Sequence, residues 1–132
     1  MMPDMPGNIE FSQLRDEVQR QIENYVYEVP EGSIGNPMSS RVITDGLSEM
    51  RAALVEPYWT TVEIRDTFDQ IGTKEPLKRK CAAVADDSKG MVLLFDPVEG
   101  SFVLAQRVAT GLSTIGVRGD AVGCFLSRSV DR

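Results

Sequence analysis

Two apolar runs, Met91–Phe95 and Ser101–Val108, flank the turn Asp96-Pro97-Val98-Glu99-Gly100, and this spacing constrains the fold more than any other feature of the chain. Pro97 fixes φ at the second turn position, Asp96 can accept hydrogen bonds from nearby backbone N–H groups, and Gly100 can take the left-handed conformation that closes the loop. The segment reads as a β-hairpin. Cys81–Asp86 precedes it across Asp86-Asp87-Ser88-Lys89-Gly90, and Leu112–Val117 follows it across Thr110-Gly111. Consecutive strands with such short connections form an antiparallel meander.

Upstream the apolar period lengthens. Ile9, Leu14, Val18, Ile22, Tyr25, Val26 and Val29 fall on one face of a helix. Asn8 is its expected N-cap, Glu10 suits the positive end of the dipole, and Pro30 with Gly32 is the expected stop. Residues 1–8, rich in Met and Pro, read as a disordered lead to a single domain over residues 9–132. Pro30–Ser39 reads as a loop. A second helix then runs to about Val55 on Ile43, Leu47, Met50 and Leu54, with Gly46 interrupting it. The alternative there is a short strand over Arg41–Thr44, with Asp45 capping a shorter helix.

Pro57 ends that helix, because proline is not accommodated in a helix interior. Tyr58–Asp66 alternates with period two and reads as a strand. The competing reading is a helix from a capping box, Thr60-x-x-Glu63, through Ile64, Phe68 and Ile71 to a stop at Gly72. At the other end Asp120 caps a short helix carrying Val122, Phe125 and Leu126, and Ser127–Arg132 is expected to fray. The fold class expected is α+β: two N-terminal helices packed on an antiparallel meander of about four to five strands, with a short C-terminal helix.

Composition narrows the chemistry. A chain of 132 residues can bury roughly two thirds of its unfolded surface without a staple. It contains no histidine, so Ser-His-Asp and Cys-His nucleophilic mechanisms are unavailable within the chain. With two cysteines as the only thiols, neither a metal nor a cofactor is expected. The net charge of −6 is uneven, because residues 1–70 carry 13 acids against 5 bases while residues 71–132 carry 7 against 9. Nucleic acid is therefore not an expected partner, and Lys74–Lys80 has no interleaved aromatic residue for base stacking. The apolar runs are too short to span a membrane, and Met1–Asn8 lacks the pattern of a signal peptide, so the expected location is cytoplasmic with both thiols reduced.

The candidate reactive groups have ordinary explanations. Cys81 follows Lys78-Arg79-Lys80, whose charge would favour a thiolate, but Ala82, Ala83 and Val84 after it point to a buried, inert thiol. Cys124 reads as a small core residue. Asp86-Asp87 lacks the ligand spacing of a calcium loop, and Asp96 with Glu99 is explained by turn chemistry. Arg118-Gly119-Asp120 matches an adhesion tripeptide, which helix capping by Asp120 accounts for.

The functional clue is a failure of alternation. Met91–Phe95 and Phe102–Ala105 are apolar on both sides, so a helix, sheet curvature or a second subunit must cover each face. Val92, Leu94, Phe102 and Leu104 are accordingly the candidate interaction face of a non-enzymatic protein-interaction domain, forming a homodimer or holding another protein. The alternative is a small-molecule-binding or hydrolytic domain, with a pocket between helices and sheet lined by Tyr58, Trp59 and Phe95.

Overall fold

The structure, a computed structural model, describes residues 10–25 and 40–129. Helices α1 (Phe11–Glu23) and α2 (Ser40–Ala53) precede strand β1 (Leu54–Ile64), the single helical turn α3 (Phe68–Ile71) and strands β2 (Leu77–Asp86), β3 (Met91–Asp96), β4 (Ser101–Val108) and β5 (Gly111–Gly119). Helix α4 (Ala121–Leu126) runs into a 3₁₀ turn over Ser127–Ser129. The fold class is the α+β arrangement that the sequence implies. Among the described residues, no helix is long and apolar enough to cross a membrane.

The strands pair in sequence order, and β5 then returns to β1 in a short parallel pairing, Val62 with Leu112 and Glu63 with Ser113. This closes the meander into a barrel. Closure explains why the central strands are apolar on both sides. Val62, Cys81, Val92, Leu94 and Val103 point inward and fill the barrel, while Ala82, Val84, Leu93, Phe102 and Leu104 point outward into a second core. That outer core is completed by Leu14, Val18 and Ile22 of α1, Met50 of α2, and Val122, Phe125 and Leu126 of α4. Each fully buried leucine contributes about 2 kcal/mol of transfer free energy.

Several local expectations are corrected. Glu10, not Asn8, occupies the N-cap of α1, and the helix stops at Asn24, whose N–H still reaches Arg20 O, well before Pro30. Residues 1–9 and 26–39, with the expected lead, Ile9, Val26, Val29 and the Pro30–Gly32 stop, lie outside the described residues. Helix α2 is the long form, and Gly46 has a packing role there, since a Cβ would run into the Leu126 side chain of α4. Pro57 does not end the helix, because α2 passes directly into β1 at Leu54. Proline is tolerated within β1 because the register shifts between Leu54 and Tyr58, where its missing N–H leaves no ladder bond unmade.

The strand reading of Tyr58–Asp66 holds as far as Ile64, and the capping box sits seven residues further on than Thr60 and Glu63, at Thr67 and Gln70. Asp120 caps α4 through Gly123 N at 2.9 Å. The segment after α4 does not fray at once, since Arg128 is buried and ion-paired to Asp87 and Glu49, each at 2.6 Å.

Candidate functional site: a charged barrel end beside an apolar ridge

Strand alternation carries three charged residues into the barrel at one end. Arg79 lies two residues before Cys81 and opposite Val62, Asp96 lies two after Leu94, and Arg118 lies opposite Val103, so all three share the inward face. Asp96 is fully buried. Its Oδ2 accepts from Arg79 Nη1 at 2.5 Å and Arg118 Nη1 at 2.9 Å, while Oδ1 accepts from Val98 N at 3.0 Å and Glu99 N at 3.4 Å. Arg118 Nε in turn donates to Asp66 Oδ2 at 2.7 Å. Asp66 Oδ1 accepts from Gly116 N at 3.2 Å, and a glycine is required there, with φ at 86° and Asp66 O only 3.3 Å from where a Cβ would stand.

The result is a neutral chain, Arg79–Asp96–Arg118–Asp66, that plugs the barrel end. Burial alone would raise the Asp96 pKa, but the hydrogen bonds from Arg79 and Arg118 overcome this and hold it below the usual carboxylate range. Cys81 lies behind the plug. Its removal from water, reinforced by the Asp96 charge, pushes the thiol up to about 12, so it carries no nucleophile at neutral pH. Lys78 and Lys80 alternate to the outer side of β2, and Lys80 Nζ instead lies 5.5 Å from the Trp59 ring. Among the described residues, no buried side-chain nitrogen or oxygen lacks a hydrogen-bond partner.

The β1–β2 connection rises from this plug and is tied at both ends. Thr67 accepts from Gln70 N, and Gln70 Oε1 accepts from Asp66 N at 2.8 Å and Thr67 N at 3.0 Å, completing the capping box of α3. At the far end Arg65 Nη1 donates to the carbonyl oxygens of Gln70, Ile71 and Thr73 at 3.0, 2.8 and 3.1 Å. Glu63 orients that guanidinium by accepting from Arg65 Nε at 3.0 Å. Hydrogen bonds from Thr110 and Arg65 lower the Glu63 pKa, which keeps the orienting carboxylate charged.

This well-anchored turn buries none of its own side chains. Phe68 is 92% exposed and Ile71, three residues on and on the same helical face, is 58% exposed. Leu77 at the start of β2 and Val98 in the β3–β4 turn are 52% and 57% exposed. In a meander the first and third connections emerge at the same end. Four of the eight large apolar side chains exposed among the described residues therefore gather around one barrel end. Groups of exposed apolar side chains of this kind commonly mark binding surfaces.

The opposite end is closed differently. Arg107 Nη2 meets Asp86 Oδ2 at 2.5 Å and also bonds Tyr58, and the Asp86 bond is the main cause of its raised pKa. Nearby, a cavity of about 190 Å³ is lined by residues that include Glu49, Asp86, Asp87, Lys89 and Arg128. Arg128 stacks 3.9 Å over the Phe125 ring and is held by Asp87 and Glu49.

The structure does not bring the expected pocket residues together. Trp59 pairs with Ala82 and Ala82 with Phe95, so these two rings lie in one row on the outer face, where Trp59 meets Phe11 at 5.5 Å and Phe95 meets Phe102 at 5.2 Å. Tyr58 points to the inward side. Of the expected interaction face, Val92 and Leu94 are inside the barrel and Phe102 and Leu104 are under the helices, all 5% exposed or less. Exposed apolar side chains lie elsewhere among the described residues, Phe68, Ile71 and Leu77 following one another along the β1–β2 connection as a ridge.

The ridge had a sequence signal, since Thr67-x-x-Gln70 and Gly72 bracket Phe68 and Ile71. The Asp96 plug had none beyond its turn role. No protein-family model, curated protein or solved structure matches this chain.

Proposed function

We propose that this chain is a non-enzymatic protein-interaction domain whose contact surface is the ridge of Phe68, Ile71 and Leu77. The observation that carries the reading is the contrast within α3, whose backbone is tied by a capping box and by Arg65, while Phe68 stands 92% exposed. Apolar side chains held out on an ordered scaffold lose little conformational freedom when a partner covers them. The charged groups nearby support the same reading, because Arg79, Asp96, Arg118 and Asp66 are matched to one another and none is left over to act on a substrate. The cavity beside Arg128, about 190 Å³, is smaller than the roughly 300 Å³ from which small-molecule sites begin.

The test is photo-crosslinking with p-benzoyl-phenylalanine placed at position 68 and, as a control at the end of β4, at position 108. The expected result is discrete crosslinks to a protein chain from position 68 and none from position 108. Equal labelling at the two positions, or no protein adduct at either, would overturn the reading.

A further inference from the structure

The barrel is not joined equally all the way round. β3 and β4 pair at six positions, from Met91–Gln106 to Asp96–Ser101, whereas β1 and β5 pair at only two, Val62–Leu112 and Glu63–Ser113. That join is also the parallel one, and parallel pairing is slightly less stable per residue. Beyond it, side chains take the place of the backbone ladder. Arg65 N donates to Thr114 Oγ1 at 2.7 Å, Gly116 N donates to Asp66 Oδ1 at 3.2 Å, and Arg118 Nε donates to Asp66 Oδ2 at 2.7 Å. Asp66 thus carries two of these three bonds across the seam. Its own N–H is held by Gln70 Oε1 of α3, and the neighbouring Arg65 holds the carbonyls at the end of that turn.

We infer that the β1–β5 seam is a conformational latch, at which the barrel opens locally ahead of global unfolding, and that Asp66 is the residue that keeps it shut. Segments held by few backbone bonds are the ones that open first. Opening parts β1 from β5, breaks the Arg65–Thr114 and Asp66–Gly116 bonds together, and bares the inner core at Val62, Leu112 and Cys81. The outer core stays closed, because Leu93, Leu104, Phe125 and Leu126 pack away from the seam strands' shared edge under α4. Since Arg65 and Asp66 also anchor α3, the turn that carries Phe68 is released from β5 in the same event. The latch operates whether or not Phe68 meets a partner.

Two sets of reporters separate seam opening from unfolding. The Arg65 and Gly116 amides lie in the seam, and the two buried thiols lie on opposite sides of the barrel wall, Cys81 in the inner core and Cys124 in the outer. In native-state hydrogen exchange followed by NMR, the Arg65 and Gly116 amides are expected to be roughly a hundredfold less protected than those of β3 and β4. In Asp66→Ala, shown to be folded by circular dichroism, Cys81 is expected to react with a thiol reagent at pH 8 about tenfold faster than in the native chain, while Cys124 stays silent. Seam amides as well protected as those of β3 and β4 would overturn the latch, since the barrel would then open only by unfolding. So would Asp66→Ala with Cys81 and Cys124 reactive together, which is general loosening, or with Cys81 as silent as in the native chain. If Asp66→Ala does not fold, exchange in the native chain decides alone.

Discussion

Arg65 and Ile71 are joined by a hydrogen bond of 2.8 Å from guanidinium Nη1 to carbonyl oxygen, and the same Nη1 also serves Gln70 and Thr73. One side chain, oriented by Glu63, thereby closes the last turn of α3 and fixes the direction in which Phe68 and Ile71 project. Charged donors to buried or half-buried carbonyls each contribute about 1.5–3 kcal/mol. Arg65→Ala is expected to raise amide hydrogen exchange at Gln70 and Ile71 at least tenfold, about 1.4 kcal/mol of local stability, while the amides of β3 and β4 stay protected. Unchanged exchange at Gln70 and Ile71 would show that the capping box alone holds the turn.

The plug predicts where acid acts. The folded pKa of Asp96 lies below its unfolded value of about 3.9, so its contribution is complete above that value and is lost as pH falls through it toward the folded pKa. Asp87 is lowered too, its burial outweighed by bonds from Met91 N, Lys89 N and Arg128, and it acts in the same direction. Urea unfolding is expected to give constant stability from about pH 8 to pH 5 and a decline below about pH 4. Asp96→Ala, which removes the buried carboxylate shared by Arg79 and Arg118, is expected to cost ~3 kcal/mol at pH 7 and to flatten the acid limb. A decline that is equally steep in this variant would contradict the assignment.

Both thiols should be silent in the folded protein. Cys81 and Cys124 are buried and free, and desolvation pushes each to about 12. A thiol reagent at pH 8 is expected to titrate neither residue in native protein and both after addition of denaturant. Fast reaction of Cys81 without denaturant would mean that the barrel end opens.

Gly46→Ala sets helix propensity against packing. Alanine favours an exposed helix by about 1 kcal/mol, but here the added Cβ meets the Leu126 side chain, which is 1% exposed and enclosed in the outer core. Overpacking of this sort costs typically 1–3 kcal/mol, so a net loss of about 1 kcal/mol is expected in denaturant melts. A stabilised variant would show that α4 moves aside freely.

Legibility in the sequence followed sequence distance. The hairpin at Met91–Val108, the Asp120 cap and the apolar stripe of α1 could be read because each is decided by residues within a turn or two of one another. Barrel closure could not, because it depends on Val62 finding Leu112 across the whole meander, and periodicity does not encode which strand pairs with which. The two-sided apolar strands are legible, but a helix, sheet curvature or a second subunit would each cover them, and the local pattern does not say which. Asp96 divides along the same line. Its Oδ1 contacts in the turn were legible, while its Oδ2 contacts to Arg79 and Arg118 need the closed register. Phe68 and Ile71 are legible as a helical pair, but helical spacing assigns such a pair to the core by default, and only the structure leaves it outside.

The proposed reading rests on Phe68 standing open in the single chain on a turn whose backbone is tied down. Carbene footprinting read residue by residue by mass spectrometry measures this directly, with Val108 as an internal reference at 38% exposure. Phe68 is expected to label heavily in the folded protein, well above Val108. Labelling of Phe68 no heavier than that of Val108 would contradict the account.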